Sequence, residues 1–376
     1  MGSDPSTQND NETVNGTPDE TVNGTPAKTM NGTPADAVMN EGGESFWWLT
    51  RKEFRKNRPA LYSLYVLVAM AFLALTADLI AGNKPYYMVY EGKTYFPAFR
   101  QYAVYTGLMD WPEDLRTRRN FKRYAYSEAV FPLIPYAPDE IRLGARYKRP
   151  GVDHLFGTDR LGRDVLSGLI HGTRYSLTIG LVSVGISLLI GVGLGALAGY
   201  LGGWTDLILS RVFELWAAIP PFFLIITAAA FFPPSLFWIM IIIGFTGWVG
   251  IARLTRSQFL QVRAFDYIAA ARALGCSNLR IMAVHILPNA IAPVLIPAAF
   301  GVAGAILAES GLSFLGIGVP AEVITWGSLL AGARSNIAAW WLVIVPGFAI
   351  FITVTLYNLL GDGLRDALDP RQRGTA

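Results

Sequence analysis

A single cysteine, Cys276, stands in 376 residues, so no intrachain disulfide can form and no cysteine-based metal site can be assembled. Histidine is almost as scarce. His154, His171 and His285 lie far apart in sequence, which argues against a shared metal. Charge is thin as well, with 16% of residues charged against 52% apolar. The net charge of +3 comes from basic residues spread over loops beside apolar runs, and such a spread does not build the single basic face that a nucleic-acid partner needs. Signatures of catalysis are missing too. No Gly-x-Ser-x-Gly elbow sits between a strand and a helix, and no His-Glu-x-x-His motif occurs. Gly92-Lys93-Thr94 has the tail of a phosphate-binding loop, but Tyr87 stands where its first glycine should be. The chain is therefore expected to hold no cofactor and no catalytic centre of its own.

What it has instead is apolar length. A helix needs roughly 20 apolar residues to cross about 30 Å of hydrocarbon, and six stretches qualify: 61–81, 176–201, 207–231, 236–251, 286–307 and 340–360. These predict an all-α membrane protein of six transmembrane helices. The first run begins too deep for an ordinary secretion signal, and five basic residues (Arg51, Lys52, Arg55, Lys56 and Arg58) precede it, so it reads as an uncleaved span. Gly191, Gly195 and Gly199, spaced by four, give the second span a face that another helix can approach to near backbone contact. Pro220-Pro221 breaks the third, and Pro293, Pro297 and Gly301 recur at intervals of four in the fifth. Such prolines mark either hinges or kinks fixed by packing.

Between and around the spans lie five other segments. Residues 1–43 repeat Thr-Val-Asn-Gly-Thr-Pro at Thr13 and Thr21, and Thr-Met-Asn-Gly-Thr-Pro at Thr29; they are expected to form a disordered cytosolic tail, with too little apolar surface to offset chain entropy. Residues 44–82 join an interfacial segment, aromatic at Phe46-Trp47-Trp48 and basic beyond, to the first span. Residues 83–150 are Tyr- and Pro-rich with mixed charge, a soluble insertion between helices 1 and 2 with a hairpin near 86–96. Residues 151–175 read as an amphipathic interfacial helix capped at Thr158-Asp159, and 364–376 as a second cytosolic tail. The five remaining spans, 176–363, carry a loop at 253–285. From Arg253 to Arg280 there are five arginines and one acid, whereas 309–338 holds only Arg334, so the bias in short loops puts both termini and the 253–285 loop in the cytosol and the insertion outside.

Within that loop, Asp266 to Asn289 is too polar and too Gly-broken to be a span. Tyr267, Ala271 and Leu274 fall at i, i+4, i+7 and predict a short helix with Asp266 and Arg272 off its apolar face. Gly275 is placed to close it in the left-handed conformation, and Ser277 or Asn278 to cap a second helix carrying Leu279 and Met282. Glu214 is the deepest ionisable residue in a span, either a pathway residue or a partner of Arg211 one turn away. Asp78 and Glu309, near span ends, are expected to face headgroups or water.

Ala269-Ala-Ala-Arg-Ala-Leu-Gly275, nine residues, then His285-Ile-Leu-Pro288 resembles the EAA loop of ABC-importer permeases, with Ala270, Ala271, Gly275, Leu287 and Pro288 matching, Ala269 in place of the family Glu and His285 in place of the Ile. Phe156-Gly-Thr-Asp159-Arg-Leu-Gly-Arg163-Asp164, Leu312-Ser-Phe-Leu-Gly316-Ile-Gly318 and Trp326-Gly327 resemble the dipeptide/oligopeptide permease C-type subunits, and the insertion resembles the microcin C and peptide permease E-type (YejE-type) relatives. That resemblance implies the type I ABC-importer permease fold and a subunit of the bacterial inner membrane. It also implies a heterodimer with a second permease chain, two partner ATPase domains that bind ATP and Mg, an extracytoplasmic binding protein and a peptide substrate. Asp266, Ala270, Ala271, Arg272, Gly275, Ser277, Arg280, Leu287 and Pro288 would form the ATPase-coupling site, while Glu214, Pro220, Pro293 and Pro297 are the pathway or gating candidates. The competing readings are a self-contained channel or secondary transporter, which would need ion-coupling residues or a filter not found here, and a membrane enzyme.

Overall fold

The computed structural model describes residues 46–116, 120–320 and 322–368. The repeat-bearing tail 1–43 and the last residues of the 364–376 tail lie outside them. Helix α1 (Phe46–Lys56) ends on Arg55 and Lys56, favourable at the negative end of a helix dipole. Asn57 then caps α2 (Arg58–Leu75), its side-chain oxygen accepting from the Ala60 N–H at 3.1 Å. This span is shorter than 61–81, because Thr76 interrupts it and α3 (Ala77–Ile80) adds only one turn.

The expected hairpin is present. Strands β1 (Tyr87–Tyr90) and β2 (Lys93–Tyr95) pair antiparallel with Tyr90 opposite Lys93, leaving Glu91-Gly92 as a two-residue turn. Both turn residues have positive φ, 50° and 72°, as a type I′ turn requires. Helices α4 (Pro97–Tyr105) and α5 (Glu113–Arg116) follow, and β3 (Glu128–Val130) adds to the free side of β1, giving the order β2-β1-β3. Met88, Leu115, Phe121 and Tyr124 are buried together under this sheet. The insertion is stitched to the spans where Gly82 N–H donates to the Ile134 carbonyl at 2.9 Å and the Tyr86 hydroxyl donates to the Leu79 carbonyl.

Helix α6 (Val165–Leu201) is 37 residues long, about 55 Å at 1.5 Å per residue. It corrects the separate interfacial helix expected over 151–175: residues 151–164 are turns and bends, and the helix that follows runs into the span unbroken. Asp159 is not a cap. Its carboxylate accepts from the Leu161 and Arg163 N–H groups at 2.8 and 2.9 Å and from the Arg163 guanidinium at 2.7 Å, closing a turn. The cap is Asp164, which accepts from the Ser167 N–H at 2.7 Å and holds the His154 ring nitrogen Nδ1 at 2.8 Å with its other oxygen.

After α6 come α7 (Gly203–Ala217) and α8 (Pro221–Phe231), which meet at an 84° bend. Next are α9 (Leu236–Arg263), α10 (Asp266–Ala273), α11 (Asn278–Arg280), α12 (Leu287–Leu315), α13 (Trp326–Ala331) and α14 (Trp341–Leu368). Among the described residues five helices are long and apolar enough to cross a membrane, six if the bent pair counts as one. Spans four, five and six outrun their expected ends, reaching Arg263, Leu315 and Leu368, since polar residues on their last turns find partners and need not leave the helix. Glu309 is one of them. It is 1% exposed, facing neither headgroup nor water, and accepts from the Ser313 and Thr325 hydroxyls at 2.7 Å each. Asp78 likewise pairs with Arg174 at 2.9 Å.

The most extensive helix contact runs along α6 and α9. A Cβ at Gly191 would meet Ile251 Cβ and the Trp248 carbonyl at 2.8 Å, and one at Gly199 would meet the Arg256 carbonyl at 2.6 Å. From the other side, a Cβ at Gly244 would meet the Ser183 carbonyl at 2.7 Å. Backbones this close let Ser187 Oγ donate to the Gly244 carbonyl at 2.6 Å and Ser183 Oγ to that of Met240 at 3.0 Å, the small-residue packing that apolar surroundings favour. Asp206 on α7 clamps the same helix, its carboxylate meeting both Nε and Nη2 of Arg256. Gly195→Val should therefore lower the thermal stability of the detergent-solubilised chain by about 1–3 kcal/mol. Gly193→Ala, whose Cβ would meet nothing within 4 Å, should leave it unchanged or raised. Equal melting of the two variants would mean that the seam is not close-packed.

Candidate functional site

The turn between α9 and α12 is built from two anchored faces. On α10, Ile268 and Ala271 are buried against Phe259, Val262, Ile281 and Ile286. Asp266 lies in its first turn and Arg272 in its last, each the favourable sign for its end of the helix. The buried stripe is thus Ile268 and Ala271 with Tyr267 partly covered, whereas Leu274, expected on that face, is 85% exposed. The Leu274 N–H still donates to the Ala270 carbonyl at 3.0 Å, but the buried side of the helix centres on Ile268 and Ala271, which leaves Leu274 at its margin.

Gly275 closes α10 as the sequence predicts. Its φ is 77°, its N–H donates to the Arg272 carbonyl at 3.0 Å, and the Cys276 N–H donates to that of Ala271 at 3.1 Å. These two bonds form a Schellman motif, with Cys276 packed into the cluster that holds Ala271. Ser277 then caps α11, accepting from the Arg280 N–H at 3.4 Å. No independent second helix follows. A π-helical segment, Ile281–Ile286, joins α11 to α12, with the Leu287 N–H reaching back to the Met282 carbonyl. Pro288, in the first turn of α12, gives the cause: it offers no N–H and its ring crowds the carbonyl four residues earlier, and a wider turn relieves that clash. Asn289 Nδ2 donates to the His285 carbonyl at 2.9 Å, and sits 3.3 Å from the Tyr267 hydroxyl, whose own ionisation burial pushes to higher pH.

Tyr200, at the far end of α6, is the residue that sequence reading missed. It is 4% exposed; its hydroxyl donates to Asn278 Oδ1 at 2.8 Å, its carbonyl accepts from Arg263 at 2.6 Å, and the Arg272 guanidinium lies 5.8 Å from its ring. A tyrosine closing an apolar run just before Gly202-Gly203 was the available signal. The outward side of the turn is mostly free. Ala269, Ala270, Arg272, Gly275, Ser277 and Arg280 are exposed, as are Leu274 and, at 75%, Leu279. Pro288 is exposed and Leu287 half-buried. This surface is small, apolar at its centre and arginine-bearing. Ala269, where the resemblance calls for Glu, faces outward, so the missing carboxylate is lost from the surface and not from the core.

The pathway candidates lie elsewhere. Glu214 Oε2 meets Arg211 Nη1 at 2.5 Å, both more than half exposed. Pro220 forms the bend between α7 and α8, and Pro293 and Pro297 are interior to α12. None of them joins the turn.

Two family models match this chain. One, described as a binding-protein-dependent transport system inner membrane component, covers residues 191–374; the other, the N-terminal transmembrane domain of oligopeptide transport permease C, covers 45–101. The inner membrane ABC transporter permease protein YejE of Escherichia coli (strain K12) is 34% identical over 331 residues, 85% of this chain and 95% of that protein. The peptidoglycan transport system permease protein YejE of Agrobacterium fabrum (strain C58) is 33% identical over 359 residues, 85% and 92%. The dipeptide transport system permease protein DppC of Bacillus subtilis (strain 168) is 40% identical over 243 residues, 64% and 76%.

The turn makes a prediction of its own. A β-branched residue in the left-handed conformation costs more than the ~1–2 kcal/mol an ordinary one does, while Asn tolerates it. Gly275→Val should therefore speed hydrogen exchange at the amides of 275 and 276 by at least about tenfold, and Gly275→Asn by much less. Equal protection in all three proteins would mean that the left-handed closure is not what holds α10.

Proposed function

The chain belongs to the binding-protein-dependent permeases, the non-catalytic membrane subunits of ABC importers, and from that membership we propose that it carries peptides or peptide-like compounds. Peptidoglycan and dipeptide transport are the activities that the names of its relatives carry. In this reading the subunit forms half of a pathway in the bacterial inner membrane beside a second, different permease chain. Two ATPase domains that bind ATP and Mg dock on its cytosolic face, and a binding protein delivers the peptide to the other. Both termini lie in the cytosol with the α10 turn, and the insertion lies outside, where it shapes the outer vestibule.

The observation that carries this is the α10 turn itself. Its inner face is locked by Ile268, Ala271 and Tyr200, while Leu274 and Leu279 stand exposed beside Arg272 and Arg280. An apolar centre with an arginine rim is the anatomy of a protein–protein contact. Asp266, Ala270, Ala271, Gly275, Ser277, Leu287 and Pro288 set the shape of that contact, and partner closure would move α10, α11 and α12 as one body. Glu214, Pro220, Pro293 and Pro297 remain the pathway or gating residues of this reading. A channel or secondary transporter has no need of such a turn.

Co-expression with a candidate ABC ATPase subunit from the same genome tests this. Wild-type chain should retain the ATPase through purification. Leu274→Lys with Leu279→Lys should lose it, because each exchange removes about 2 kcal/mol of apolar burial, roughly thirtyfold in affinity, while membrane insertion is kept. Retention of the ATPase by the double variant at the wild-type level would overturn the docking assignment.

A further inference from the structure

At the end of α6 remote from the α10 turn, the insertion and the spans line an open cavity of about 930 Å³. That is within the range of small-molecule sites. Its lining includes Lys84 ahead of β1, Asp139 in the loop after β3, Glu322 between α12 and α13, and the Asp78–Arg174 pair. The charges are unevenly matched. Asp78 is held by Arg174 at 2.9 Å, and the same guanidinium donates to the Ala74 carbonyl at 2.9 Å, so that pair is closed. Lys84 is half-buried, and among the described residues its ammonium has no hydrogen-bond acceptor; its contact is the face of Trp111, 5.7 Å from Nζ to the ring centroid. Burial pulls its pKa below the ordinary lysine value, with Asp78 and Asp139 opposing that from a distance. Asp139 and Glu322 are exposed to the cavity and form no ion pair among the described residues. A half-buried ammonium left without an acceptor is costly unless something supplies one.

We propose that this cavity is a binding site for the termini of a short peptide, the peptide carboxylate on the Lys84 ammonium and the peptide ammonium toward Asp139 and Glu322. Two signs of charge, on separate elements and not closed on each other, fit a zwitterion and not a simple anion or cation. Trp111 supplies a flat apolar wall beside Lys84 for the ligand's backbone and small side chains. Choosing a peptide rests on the importer reading above; the layout of charges does not. The permease would then select its cargo itself, on the insertion side, before any span moves.

The test uses the full chain in lipid nanodiscs without ATP or ATPase, titrated with tri-alanine, its C-terminal amide and its N-acetyl form in a calorimeter. Tri-alanine should bind saturably, and the amide should bind wild type at least about tenfold more weakly, a 1.4 kcal/mol loss. Lys84→Gln should weaken tri-alanine by a similar factor and no longer distinguish it from the amide, while Lys84→Arg keeps the preference. Asp139→Asn combined with Glu322→Gln should erase the preference for tri-alanine over its N-acetyl form. Absence of saturable heat at about 1 mM peptide, or equal affinity of wild type for acid and amide, overturns the site. Retention of an ATPase is a separate measurement: peptide binding by a chain that never retains one would support the cavity and overturn the docking assignment of the α10 turn.

Discussion

Everything else in this chain hangs on how closely α6 and α9 approach. Gly191, Gly195 and Gly199 face Ile251, Ala252, Thr255 and Phe259, and Gly244 returns the contact toward Ser183 and Ile186. Two serine hydroxyls reach across to carbonyls of α9 because no side chain stands between. Apolar surroundings give helices little reason to associate except fit and such bonds. With α9 fixed against it, α6 becomes a continuous 37-residue axis, with the insertion fastened near one end and the α10 turn near the other. At one end His171 meets the Ala81 carbonyl at 2.7 Å and Arg174 meets Asp78, holding α3, while the Ser167 hydroxyl donates to the Tyr136 carbonyl of the insertion at 2.7 Å. At the other, Tyr200 ties down Asn278 and Arg263.

What was legible in the sequence is what a few neighbouring residues decide. Glycines every fourth residue announced the seam, Glu91-Gly92 the hairpin, and Gly275 the end of α10, since each reflects backbone sterics confined to a handful of positions. What was not legible depended on partners far along the chain. Glu309 looks like a span-end acid until Thr325, sixteen residues on, supplies a hydroxyl. Asp159 and Asp164 both have the chemistry of a cap, and only the folded 147–164 loop decides that one closes a turn while the other starts the helix. The apolar face of α10 centres on Ile268 and Ala271 and excludes Leu274, because Phe259, Val262, Ile281 and Ile286, all outside the helix itself, decide which side is covered. The π-helical segment before Pro288 had a local cause but no local signature in the hydropathy pattern.

This placement separates three tasks. The α10 turn offers a shaped surface with an apolar centre and an arginine rim; the spans offer small-residue packing and a bent α7–α8 pair; the insertion end gathers the unmatched charge. Such a turn suits a subunit whose energy is supplied by another protein, since docking needs shape and rim charge. The departure at Ala269 fits the same logic: an outward-facing position can lose a carboxylate without disturbing the fold, so its effect falls on contacts with a partner.

Cys276 is the chain's sole thiol, and it occupies the residue just past the left-handed Gly275, half-buried against Ala271. A thiol-directed fluorophore or spin label would therefore attach at one site without prior removal of other cysteines. Its labelling rate would report the packing of Cys276 against the α10 cluster. The wild-type protein thus carries a native reporter at the turn that closes α10.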